Sequence, residues 1–266
     1  MILLMLPAAA FFAAFFILPM YRLFLAGASG ATGWRAYAAI LTDTAYFHAL
    51  LSTLGVAAAT TLVTLILGGV VGVFLQRNAF RGRAILTALI TLPLAFPGVV
   101  IGFMVIILAG RQGLLAQLSM ALGGPRLVFA YSLGGLFMGY VYFSLPRTIL
   151  TVMAAAEKLD PRIEEAARAL GASPWQVVRD VILPGLKPAL ISAGAICFAT
   201  AVGAFGTAFT LATRINVLPM VIYTEFTLSA NIAMAAALSF VLGAITWAVL
   251  ALARNAAGGG TIAAAA

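Results

Sequence analysis

The run Glu157-Lys158-Leu159-Asp160-Pro161-Arg162-Ile163-Glu164-Glu165-Ala166-Ala167-Arg168-Ala169-Leu170-Gly171, continued by Ala172-Ser173-Pro174-Trp175-Gln176 and closing at Ile182-Leu183-Pro184, is the one long polar island in the chain. It carries five of the seven acidic residues: Glu157, Asp160, Glu164, Glu165 and Asp180. Asp160-Pro161 reads as an N-cap followed by proline at the first helical position. Ile163, Ala166, Ala167 and Leu170 then recur at helical spacing, giving one narrow apolar stripe. Glu164 and Glu165 fall in the first turns, where the helix dipole favours negative charge. Gly171 stands where a helix ends in a left-handed residue. Ser173 and Gln176 make the two halves of a capping box that opens a second helix. Trp175, Val178 and Ile182 line one side of that helix, which is expected to end at Leu183-Pro184. Residues 157–187 therefore predict two short amphipathic helices joined by a tight glycine turn.

Outward from this island the chain is apolar. Of its 266 residues, 64% are hydrophobic and only 8% charged, with a mean hydropathy of +1.14. Too little polar surface exists to cover such a chain in water, which excludes a soluble enzyme, a disordered regulator and a disulfide-stapled secreted domain. Six stretches reach the roughly 20 apolar residues that a bilayer-crossing helix needs. They run from Ile2 to Ala26, Ala49 to Gln76, Ala84 to Gly110, Leu127 to Ala156, Pro188 to Thr213 and Ala233 to Ala253. Arg147 follows Pro146 inside the fourth, so its membrane part is expected to end near Pro146. The first stretch has a rival reading as a signal peptide with Ala26-Gly27-Ala28 as cleavage site. Its length and the lack of Lys or Arg ahead of it oppose that. The organisation expected is an extra N-terminal helix and outer loop in 1–48, a five-span core in 49–253 with the polar loop at 157–187, and a low-complexity tail in 254–266.

The net charge of +8 would suggest nucleic acid in a soluble protein, but here the basic residues sit singly at the ends of apolar runs and read as topology. With the N-terminus in the cytoplasm, the inner segments hold Arg77, Arg81, Arg83, Arg147, Lys158, Arg162, Arg168, Arg179, Lys187 and Arg254. The outer ones hold Arg22, Arg35, Arg111, Arg126 and Arg214. That excess places both termini and the 157–187 loop inside. Cys197 is the only cysteine and His48 the only histidine, so neither a disulfide within the chain nor a His/Cys metal site is expected.

On periodicity alone, the polar island reads equally well as an interfacial hairpin with a solvated charged face. Residue identity goes further. Glu165-Ala166-Ala167, Gly171 six residues after Glu165, and Ile182-Leu183-Pro184 beginning eleven after Gly171 resemble the EAA loop of the permease subunits of binding-protein-dependent ABC importers. Leu145-Pro146 before the loop and Gly171-Ala172-Ser173-Pro174-Trp175 within it also look like that family, and the resemblance covers roughly 49–253. It implies an all-α polytopic inner-membrane protein whose cytoplasmic loop forms a coupling helix in a groove of a separate ATPase. Glu165, Ala166, Ala167, Gly171, Ile182 and Pro184 would carry that coupling. The implied partners are a cytoplasmic ABC ATPase dimer, a second permease (a homologue or a copy of this chain) and an extracytoplasmic substrate-binding protein. The chain has no Gly-x-x-x-x-Gly-Lys-Ser/Thr loop; it is expected to be no enzyme and to need no cofactor, with ATP bound by the partner.

A pathway through the spans is suggested by Pro93 and Pro97, which break or kink the third, and by Thr200, Gly203, Thr207 and Thr210 in the fifth. These small and hydroxyl residues fit cavity lining or close helix packing. For the pairs Gly68/Gly72, Gly98/Gly102 and Gly135/Gly139, packing is the expectation. Leu218-Pro219-Met220-Val221-Ile222-Tyr223 looks like the outer re-entry of permeases in the polyamine, sulfate, ferric-iron and phosphonate branches, and Leu18-Pro19-Met20-Tyr21 looks like the polyamine branch, making spermidine or putrescine the first solute expected. 2-Aminoethylphosphonate, ferric iron, sulfate and thiamine are the alternatives. The rivals in other classes are an ATPase-independent secondary transporter or channel, which would ordinarily place charge within the spans, and a non-transporting membrane scaffold.

Overall fold

The computed structural model describes residues 2–211 and 215–257. The expected fifth-span end at Thr213, the outer-loop cation Arg214 and most of the 254–266 tail lie outside the described residues. Among those described, every regular element is helical. The helices are α1 (Ile2–Phe12), α2 (Leu18–Gly27), α3 (Arg35–Thr42), α4 (Thr44–Arg77), α5 (Arg83–Thr91), α6 (Gly98–Ala109), α7 (Leu114–Ala121), α8 (Leu133–Glu157), α9 (Pro161–Ala169), α10 (Pro174–Val177), α11 (Leu183–Gly203), α12 (Phe205–Leu211), α13 (Leu218–Thr227) and α14 (Ile232–Ala256). Six segments are long and apolar enough to cross a bilayer: Leu6–Gly27, Thr44–Arg77, Gly98–Ala121, Leu133–Glu157, Pro174–Gly203 and Ile232–Ala256. The all-helical, six-span expectation is thus the architecture found, with two changes of boundary.

Both changes lie at Leu-Pro steps. The third stretch, expected as one span from Ala84 to Gly110, breaks: α5 passes into a 3-10 turn, Leu92–Ala95, and Phe96 and Pro97 are extended before α6 starts. A proline donates no backbone hydrogen bond and crowds the carbonyl four residues back, so two prolines four apart end the helix here. The fourth stretch does the opposite. Pro146 is buried inside α8, which runs on to Glu157, one residue past the expected end of the stretch at Ala156. At the fifth, the loop's second helix does not end at Leu183-Pro184. A π-turn, Val178–Ile182, precedes the proline, and the Leu183 N–H bonds to the Val178 carbonyl, joining α10 and α11 into one rod from Pro174 to Gly203. The extra residue in the turn absorbs the bond that Pro184 cannot make. The same device, Ala13–Ile17, precedes Leu18-Pro19 and keeps α1 continuous with α2.

The chain divides into two compact units. In the first, Met1–Thr53 with Asn216–Thr246, Phe24 packs against Trp34, Tyr37 and Phe240 with ring centroids 5.0–5.4 Å away. The Tyr37 hydroxyl donates to the Phe24 carbonyl, and burial pushes its pKa up. The Leu218 N–H donates to Thr53 Oγ1 at 2.7 Å, and the Tyr46 hydroxyl donates to Glu225 Oε1 at 3.0 Å, fixing α13 to the start of α4.

In the second unit, Leu54–Ile215 with Trp247–Ala266, α4 lies against α8 through glycine. A Cβ on Gly68 would stand 2.7 Å from Thr148 Cγ2. One on Gly72 would meet Val152 at 2.9 Å and the Ile149 carbonyl oxygen at 3.0 Å. Close backbone approach through small residues is how helices associate where burial gives no hydrophobic gain. Gly69, one residue from this contact row, faces open space.

These environments make opposite predictions. Gly72→Leu should lower the thermal unfolding midpoint in detergent, since overpacking a tight site costs about 1–3 kcal/mol. Gly69→Ala should leave it unchanged or raise it, by about 0.5–1 kcal/mol of helix preference. Equal effects at the two sites would refute the packing described.

Candidate functional site

The 157–187 loop folds as a capped hairpin. Asp160 Oδ1 accepts from the Arg162 N–H at 2.9 Å, setting the start of α9. At its other end the Gly171 N–H bonds to the Arg168 carbonyl (2.9 Å) and the Ala172 N–H to the Ala167 carbonyl (3.0 Å), with Gly171 at φ +88°. This is a Schellman closure, and only glycine takes that backbone without strain. The capping box forms as well: Ser173 Oγ accepts from the Gln176 N–H, and Gln176 Oε1 accepts from the Ser173 N–H at 2.7 Å. Beneath the hairpin, Val152, Ala156, Val177, Ile182 and Leu186 form a small core, flanked by Val73, Leu159, Ala167 and Ala172.

The exposed face is not the one the stripe suggested. Ile163, Ala166 and Leu170 point away from the protein, with Leu170 90% exposed, and Trp175 at 70% and Val178 join them. Glu165 is exposed beside them. Ile182 is the one member of the expected second stripe that turns inward. A loop presenting Ile, Leu, Trp and Val to water carries an uncovered apolar patch of the kind that marks a contact surface.

The acidic residue that goes inside is Glu164, only 6% exposed. Its Oε1 lies 2.6 Å from Arg77 Nη2, and its Oε2 lies 3.5 Å from Arg168 Nη2. The same Arg77 nitrogen donates to the Leu159 carbonyl at 3.2 Å. Sequence reasoning singled out Glu165 and passed over its neighbour. The i,i+4 pairing with Arg168 was legible, whereas the partner on α4, more than eighty residues away, was not.

The pathway candidates occupy two helix breaks that meet. After Gly203 the rod ends, Ala204 turns out of helix, and α12 packs against α6. Thr207 is buried and its hydroxyl donates to the Gly98 carbonyl at 2.9 Å, next to Pro97. The Thr210 hydroxyl donates to the Gly206 carbonyl at 2.9 Å and the Val99 carbonyl at 3.3 Å. Tyr140 on α8 donates to the Ala204 carbonyl at 2.6 Å. These hydroxyls tie α12 to the first turn of α6, and α8 to the break at Ala204. Pro93 is buried nearby in sequence, while Pro97 and Gly203 are exposed. Thr200 stands apart from this crossing. It lines a cleft between α8 and α11 with Ser144, Arg147, Thr148, Thr151 and Cys197. The α8 members, at 144, 147, 148 and 151, share one helical face, a spacing readable in the sequence but not read. Among the described residues no group of His, Cys, Asp and Glu could hold a metal ion.

Comparison with known proteins agrees with this geometry. The family described as binding-protein-dependent transport system inner membrane component matches residues 64–257. The chain is 34% identical over 200 residues to the chloroplastic sulfate permease 2 of Chlamydomonas reinhardtii, covering 75% of this chain and 53% of the relative, so it spans about half of that protein. It is 32% identical to the molybdenum transport system permease protein ModB of Escherichia coli K12, covering 70% of this chain and 81% of ModB. A putative 2-aminoethylphosphonate transport system permease protein, PhnU of Salmonella typhi, is 28% identical over 82% of this chain and 76% of PhnU. Among solved structures, a chain of a bacterial alginate ABC transporter with its periplasmic protein superposes at a TM-score of 0.79 with 17% identity, covering 95% of this chain and 91% of that one. A chain of the MetNI methionine ABC transporter gives 0.61 at 18% identity, covering 85% and 98%. The structural likenesses establish the fold, and the family match establishes more: the chain belongs to the inner membrane components of binding-protein-dependent transport systems, the multi-pass permease subunits of ABC importers, and is not an enzyme.

Proposed function

We propose that this chain forms half of a translocation pathway and is driven through its 157–187 hairpin by a cytoplasmic ABC ATPase dimer. A second permease completes the pathway, and an extracytoplasmic binding protein delivers the solute. Both termini lie on the cytoplasmic side. The observation that carries the reading is the exposed apolar face of Ile163, Leu170 and Trp175 beside Glu165, on a hairpin closed by caps and a core. In this reading Glu165 finds a basic partner on the ATPase, Ala166 and Ala167 let that surface approach, and Gly171 holds the bend. Ile182 and Pro184 seat the hairpin on its core and span. The helix-break crossing, with Pro93, Pro97, Gly203, Thr207 and Thr210, and the Thr200 cleft line the route.

For the solute, sulfate and a phosphonate appear among the relatives' names, and both are small oxyanions. The polyamine expectation keeps only the short apolar cue at 18–21, since the one at 218–223 is shared with the sulfate and phosphonate branches. A small oxyanion is therefore the solute class proposed, with 2-aminoethylphosphonate, sulfate and molybdate as the first to test.

Two outcomes are expected. Glu165→Lys, Leu170→Asp and Gly171→Pro should each insert at wild-type yield yet lose ATPase co-purification and nucleotide-driven uptake, because they change the contact face or its bend. Wild-type co-purification and uptake in all three would refute the docking face. Titration calorimetry on the binding protein of the same transport system should show binding of one of the three oxyanions and none of spermidine. Spermidine binding with no oxyanion response would reverse the solute assignment.

A further inference from the structure

The hairpin is joined in sequence to α8 on one side and, through α10, to α11 on the other. A mechanical input at its exposed face reaches those two spans through the chain itself. The structure adds a third route. Among the described residues, the polar contacts that leave the hairpin for a span not adjacent to it in sequence both end on Arg77, in the last turn of α4. Arg77 bridges Glu164, on the inward side of α9, and the Leu159 carbonyl, just before the Asp160 cap. It thus holds α9 at its start and in its middle. Val73, one turn back along α4, packs on the core under the same hairpin. The Glu164 side chain is 8% exposed and that of Arg77 20%, so water offers neither charge an easy substitute partner. A buried pair of this kind resists separation, since either charge left alone is poorly solvated.

The helix so attached can transmit what it receives. α4 is 34 residues long with no proline, and the Gly68/Gly72 row holds it in close contact with α8. We infer that Arg77 and Glu164 are positioning residues of the coupling step: their ion pair fixes α9 to α4, so the hairpin, the inner end of α4 and the inner end of α8 move together when the ATPase closes. This rests on the docking reading above and adds to it a span that the loop does not join covalently.

The test uses the permease–ATPase complex in lipid nanodiscs, with spin labels at Arg162→Cys and Val70→Cys in a Cys197→Ala background. Both label positions are exposed, one on α9 away from the residues assigned to the docking face and one on α4. In the otherwise unaltered complex, the distance distribution between them should be the same without nucleotide and after trapping with ATP and vanadate. With Arg77→Met it should broaden and change on trapping, and with Arg77→Glu combined with Glu164→Arg it should narrow again and stop responding. A change of about 5 Å, one helical turn, in the unaltered complex would mean the hairpin ratchets past α4 and would overturn the inference. So would an Arg77→Met complex that behaves as the parent does. If Arg77→Met does not assemble, Glu164→Gln carries the comparison. It keeps the side chain's shape but removes the charge that pairs with Arg77, and a distribution as narrow and unresponsive as the parent's would again overturn the inference. Absence of the ATPase from the wild-type complex is a different result: it defeats the docking reading, and this one with it.

Discussion

Hydrocarbon offers no water to an unpaired amide or carbonyl, so every stretch of this chain that enters it must close its own backbone hydrogen bonds. The consequences are visible wherever a proline interrupts the ladder. Ahead of Pro19 and Pro184 the helix widens by one residue and continues. At Pro93 and Pro97 it stops, and at Ala204 the fifth span stops as well; there Tyr140, Thr207 and Thr210 donate to backbone carbonyls of neighbouring segments. The hydroxyls that look like a polar path in the sequence thus serve first as backbone partners. The two helix breaks lie close together, and Thr207 and Thr210 beyond the second bond to the helix that starts after the first.

The hairpin is governed by the opposite solvent. In water its caps compete with solvation, and each adds only modest stability. Two side-chain caps and one left-handed glycine are concentrated on a segment of about thirty residues, most of which faces outward, and a five-residue core shared with α8 lies beneath it. The result is a shape held without the help of the apolar face, which is left for another molecule. Glu164 and Glu165 show the division: adjacent in sequence, they point to opposite sides of α9, one into the protein and one out of it.

Much of this was legible beforehand. The class, the six spans, both caps, the capping box and the Gly171 turn follow from local chemistry, because each depends on residues within one turn of one another. What escaped depends on distance or on context. Leu-Pro occurs six times: at 18–19 and 183–184 it follows a π-turn, at 92–93 it opens a 3-10 break, at 6–7 and 145–146 it lies inside an uninterrupted helix, and at 218–219 it starts one. Nothing within the dipeptide selects among these; the packing around it does. The inward turn of Glu164 needed Arg77, and the outward turn of Ile163 and Leu170 needed the knowledge that none of the described residues covers them. An apolar stripe tells where burial is possible, not which molecule provides it.

Because the π-turn joins α10 to α11, the loop's second helix and the fifth span are a single body of 30 residues, about 45 Å from end to end. A body of that length acts as a moment arm: tilting it by ten degrees about its hairpin end sweeps the far end sideways by about 8 Å. The far end is Gly203, the last residue before the break at Ala204, beyond which α12 packs against α6. A slight rotation at the hairpin is therefore a displacement wider than half the spacing of two packed helices at the other extremity.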